Sequence, residues 1–93
     1  MEKLNYQIKV TGKVQGVFYR ASTKAVADQL GIKGTVKNMP DGSVEIVAEG
    51  SSILLAMFLD WCAEGPEKAQ VEKVDHREGE VQNFINFEVI KKH

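Results

Sequence analysis

The stretch Gly12-Lys13-Val14-Gln15-Gly16-Val17-Phe18-Tyr19-Arg20 constrains this chain more than any other. Before it, Asn5 to Thr11 alternates, with Tyr6, Ile8 and Val10 apolar and Gln7, Lys9 and Thr11 polar. A period of two marks a half-buried strand. After it, Arg20 to Leu30 carries the composition of a helix of about three turns. The stretch is therefore a strand-to-helix loop with two glycines and a terminal arginine. Glycines allow successive backbone N–H groups to turn toward one point. The helix start adds unsatisfied N–H groups and the positive end of a dipole. A guanidinium there offers a planar, permanently charged fork for phosphate oxygens.

From these residues alone two readings stand, an anion-binding loop and a tight turn with a surface arginine. The loop lacks the Gly-Lys-Ser/Thr ending of the magnesium-nucleotide loop, and it lacks G-x-G-x-x-G.

Downstream, Ala25, Val26, Ala27 and Leu30 offer α-helical apolar positions, and Gly31 is placed to cap the helix. Ile32 to Met39 and Ser43 to Glu49 read as a hairpin around Pro40-Asp41-Gly42, with Gly34 a weak point or bulge. On the returning strand Val44, Ile46 and Ala48 alternate with Glu45, Val47 and Glu49. A second helix spans about 52–63, opened by a serine cap and closed by Gly65-Pro66. Leu54, Met57, Phe58 and Trp61 form its expected buried stripe, with Cys62 at the edge. Residues 69–77 read as a strand bulged between Val71 and Val74, which lie three apart. Phe84 to Ile90 is the last strand, with Ile85, Phe87 and Val89 on one face. The order βαββαβ, plus one extra late strand, is an α+β ferredoxin-like sandwich. It predicts a mostly antiparallel sheet of four to five strands with two helices on one face. Residues 1–93 are expected to form a single domain.

Three motifs together resemble the acylphosphatases: Val14 to Arg20, then Val36-Lys37-Asn38, then Pro40-Asp41-Gly42-Ser43-Val44. The resemblance runs from about Tyr6 to Val89 and includes Gly65-Pro66 and the Val71–Val74 pair. It implies an enzyme that hydrolyses the carboxyl-phosphate bond of small acyl phosphates without a metal or other cofactor. By the same resemblance Arg20 binds the phosphoryl group with the backbone N–H groups of Gln15, Gly16, Val17, Phe18, Tyr19 and Arg20. Asn38 then positions the attacking water. Phe18 and Tyr19 read as packing residues that hold the loop, and Lys13 and Lys37 as surface lysines that could attract substrate. His76 and His93 are given no role, so no general base is named.

Composition narrows the alternatives. No apolar run approaches the roughly 20 residues of a membrane span. The first residues carry no apolar signal core, and one cysteine, Cys62, permits no internal disulfide. A cytoplasmic monomer is the expectation. Residues 1–37 hold seven bases and two acids, whereas 38–93 hold five bases and eleven acids. The basic excess surrounds the loop and would draw in a small anion. The bases are scattered singly, and the strand at 43–49 has no aromatic and two acids, which disfavours a nucleic-acid partner. No Cys/His cluster, H-E-x-x-H or C-x-x-C suggests a metal site. A non-catalytic binding module is the competing class, disfavoured because both catalytic-type residues, Arg20 and Asn38, are present.

Overall fold

The computed structural model describes residues 2–91. Strand β1 (Leu4–Lys13) leads into helix α1 (Tyr19–Leu30). The hairpin β2 (Lys33–Asn38) and β3 (Val44–Gly50) follows, then helix α2 (Ser52–Glu64). Strands β4 (Gln70–Gly79) and β5 (Phe87–Ile90) complete the chain. All five strands join one sheet in the order β4-β1-β3-β2-β5. Every pairing is antiparallel except β2 with β5. This is the expected ferredoxin-like α+β architecture, with β5 as the extra strand.

Register explains which face is buried. Tyr6, Ile8 and Val10 lie opposite Ala48, Ile46 and Val44, and Val36 lies opposite Ile46 from the other side. These residues, with Phe87, face the helices and join Leu55, Phe58 and Cys62 in one core. The alternate residues Gln7, Lys9, Glu45 and Val47 lie on the open face. The bulge expected between Val71 and Val74 is present: Thr11 pairs with Lys73 and Gly12 with Val71, leaving Glu72 over.

Gly34 is not a bulge. The β2–β3 register runs through it unbroken. A Cβ there would lie 1.7 Å from the Val47 carbonyl oxygen, so the site needs glycine because the backbones approach closely.

The helices turn differently from expectation. On α2, Leu55, Phe58 and Cys62 are buried, Leu54 and Trp61 are half-buried, and Met57 is exposed. This helix is apolar almost all round, so its pattern does not choose a face and the sheet does. On α1, Tyr19, Thr23 and Ala27 are buried and Ala25 is exposed. Thr23 tolerates burial because its hydroxyl donates to the Tyr19 carbonyl at 2.7 Å. Ile85 is fully outside the sheet, 88% exposed, because β5 starts only at Phe87. Residues 80–86 are spent carrying the chain from β4 at one edge to β5 at the other.

Candidate active site

The loop between β1 and α1 is held from three sides. Val14 and Val17 anchor it in the core, at 1% and 6% exposure. Tyr19 is buried, and its hydroxyl donates to the Cys62 carbonyl at 2.7 Å, at the end of α2. That carbonyl belongs to the last helical turn, where no intrahelical donor remains. Burial, then the neighbouring Cys62, pushes the Tyr19 hydroxyl above its ordinary range, and burial pushes the Cys62 thiol up to about 12. Both stay protonated, and Cys62 is an inert core residue.

Gln15 supplies the third hold. Its side-chain amide donates to the carbonyls of Met39 and Ser43 at 2.9 and 2.8 Å. It thus fastens the loop to the β2–β3 turn, immediately beyond Asn38. Asp41 shapes that turn by accepting from the Ser43 hydroxyl at 2.6 Å and its amide at 3.0 Å. The hydrogen bonds to Ser43, then Lys9, hold the Asp41 carboxyl at about 2.

Between these supports the loop backbone is open. Gly16 takes φ 75, in the left-handed region. Among the described residues, the amide N–H groups from Gln15 to Arg20 meet no backbone acceptor. Arg20 is half-buried at the start of α1, with Nη1 donating to the Ile90 carbonyl at 3.4 Å. One turn on, Lys24 donates to the Phe87 carbonyl at 2.8 Å and to Asp28 at 3.0 Å. Strand β5 therefore steadies both cations through its backbone.

Arg20, Gly16 and Asn38 line one cleft of about 1010 Å³, together with Phe18, Lys24 and Lys91. Asn38 reaches it as the last residue of β2, on the helix-facing side opposite Val44. Its Oδ1 is buried and has no hydrogen-bond partner among the described residues. An unpaired buried acceptor is costly, by about 1–3 kcal/mol, unless a ligand or water completes it.

Several residues stand elsewhere than expected. Phe18 packs nothing; it is 77% exposed on the cleft rim. Lys37 points to the open sheet face and pairs with Glu45 at 3.6 Å, and Lys13 is exposed outside the cleft. The lysines at the cleft are instead Lys24 and Lys91. Lys24 reads from the sequence as a water-facing helix residue, though its place one helical turn beyond Arg20 could have pointed to the cleft; Lys91 carried no sequence signal. His76 is exposed on the β4 edge, its ring 5.0 Å from that of Tyr6, and His93 lies outside the described residues. Among the described residues no three His, Cys, Asp or Glu side chains gather as a metal site, and no helix is long and apolar enough to cross a membrane.

Fold and cleft together define a small ferredoxin-like protein whose strand-to-helix loop opens onto a cleft lined by Arg20 and Lys24. The family model for acylphosphatase matches residues 6–89. An acylphosphatase of Marinobacter nauticus is 51% identical over 83 residues, covering 88% of this chain and 90% of the relative. The structure of an acylphosphatase from Coxiella burnetii superposes with a TM-score of 0.92 at 38% identity, over 95% of this chain and 93% of that one. The acylphosphatase from Bacillus subtilis gives 0.91 at 34% identity, over 94% and 98%. This chain belongs to the acylphosphatase family, hydrolases that act on acid anhydrides.

Proposed function

We propose that the cleft binds a small acyl phosphate by its phosphoryl group, with Arg20 and the amide N–H groups of Gln15 to Arg20 as donors, and that Asn38 positions the attacking water. The water oxygen adds to phosphorus in line with the acyl oxygen. The bond from phosphorus to that oxygen breaks, and the carboxylate leaves with the electron pair. One water proton passes to a phosphoryl oxygen, so the products are a carboxylate and inorganic phosphate. A carboxylate is a good leaving group, so neither a protein base nor a metal is required. Arg20 and the loop amides stabilise the charge that gathers on the phosphoryl oxygens.

The observation that carries this reading is the Asn38 Oδ1, a buried acceptor without a partner among the described residues, in the cleft that Arg20 lines. A neutral amide oxygen there suits the O–H of a bound water. The small anionic substrate and the single buried thiol suit a cytoplasmic monomer.

Hydrolysis of benzoyl phosphate in excess chelator tests the reading. The unaltered protein should turn over, and Asn38→Ala should lower kcat by about 100- to 1000-fold, as for loss of a preorganised polar group elsewhere. Equal turnover by both proteins removes Asn38 from the mechanism. No turnover by the unaltered protein rejects the reading as a whole.

A further inference from the structure

Phe18 breaks three local preferences at once. Its backbone lies in the left-handed region, at φ 63 and ψ 23. That region is sterically unfavourable for a bulky side chain. It occupies the N-cap of α1, where Ser, Thr, Asp or Asn would accept a backbone N–H, and its side chain caps nothing. Its ring is 77% exposed, although Val17 and Tyr19 on either side are buried. The fold therefore gains nothing from this ring at this position. Backbone outliers of this kind gather at sites where a ligand supplies the compensation.

The location says what that ligand portion is. Phe18 lines the same cleft as Arg20 and Asn38, and Ala21 and Val89 line it too. An acyl phosphate has one charged end and one end that is apolar in many substrates. With the phosphoryl group at Arg20 and the loop amides, the acyl end projects past the rim of the cleft. We propose that the Phe18 ring is the acyl-side wall, which packs against the acyl group and favours aromatic or large apolar acyl phosphates over acetyl-sized ones. This rests on the reading of the cleft as an acyl phosphate site. The ring covers apolar area that a methyl group is too small to match, so its contribution depends on acyl size.

The test compares benzoyl phosphate with acetyl phosphate in the unaltered protein, Phe18→Gly and Phe18→Asn. Both replacements tolerate a positive φ, so the loop keeps its shape without the ring. In both variants kcat/KM for benzoyl phosphate should fall about tenfold, a difference of about 1.4 kcal/mol, through a higher KM. For acetyl phosphate the fall should be smaller, so the benzoyl-to-acetyl ratio of kcat/KM drops about fivefold or more in both variants. Equal losses on both substrates would assign the ring to loop shape and overturn the proposal. So would no loss on either. If the unaltered protein hydrolyses neither substrate, the underlying reading of the cleft fails first.

Discussion

Arg20 sits where a helix disfavours a cation. The positive end of the α1 dipole faces it, and among the described residues no carboxylate forms a salt bridge with it. Its one protein partner among the described residues is the Ile90 carbonyl at 3.4 Å, a contact that orients the guanidinium without neutralising it. In the proposed binding mode an arriving phosphoryl group meets an already aimed fork. Charge-assisted hydrogen bonds of this kind contribute about 1.5–3 kcal/mol each. Arg20→Gln should therefore weaken competitive inhibition by inorganic phosphate by about 10- to 100-fold. Arg20→Lys should recover little, because an ammonium is a point charge without the bidentate geometry. Inhibition constants for the three proteins decide it; full recovery by lysine would mean that charge alone holds the phosphate.

At the scale of elements, the site depends on keeping the β1–α1 loop in register with the end of β2. Gln15 makes that connection through the Met39 and Ser43 carbonyls. In Gln15→Ala the loop keeps its amides and Arg20, but Asn38 is no longer fixed against them. Turnover should fall about tenfold while inorganic phosphate still binds within about threefold, a split that marks misalignment of the water. Equal losses in kcat and phosphate affinity would instead mean that the loop itself has collapsed. Much of this element layout was legible in the chain. The two-residue period of β1, the Gly31 cap, the Ser51 cap on Leu54 and the Val71–Val74 spacing each state a local rule that the fold obeys. Arg20 and Asn38 were found from motif residues, and the structure brings them to one cleft. What was not legible depends on partners distant in sequence. The buried face of α2 is chosen by the sheet, not by its nearly uniform apolar sequence. Gln15 looked like one more loop amide because its acceptors are 24 and 28 residues away. Phe18 looked like packing because an aromatic in an apolar run usually is.

The whole molecule adds a constraint at the end of the sheet opposite the cleft. To reach β5 from β4 the chain must cross β1, β3 and β2, and residues 80–86 make the crossing. Glu49, in the alternating pattern a solvent-facing residue, holds that crossing in place at 2% exposure. Its carboxylate accepts from the Asn5 amide at 2.8 Å and the Phe84 N–H at 3.1 Å, and also from the Gln82 N–H. Burial, the largest single influence, pushes its carboxyl upward. The hydrogen bonds from Asn5, Gln82, Phe84 and Asn83 outweigh burial and hold it below the ordinary glutamate value of 4.5. A depressed carboxyl stabilises the fold above its unfolded value and loses that contribution as pH falls through its folded value. Glu49→Gln replaces one accepting oxygen by a donor facing backbone N–H groups, so it should destabilise the protein by about 1–3 kcal/mol at pH 7. The gap to the unaltered protein should close as pH drops below 4.5 and the native carboxylate itself becomes protonated. Urea unfolding at pH 7 and in steps below pH 4.5 follows the gap, and a gap that stays constant over the whole range in which the protein remains folded would show that the charge of Glu49 plays no part. Since β5 carries the carbonyls that steady Arg20 and Lys24, the same variant should also raise the inhibition constant for inorganic phosphate at pH 7, linking the crossing segment to a site at the far end of the sheet.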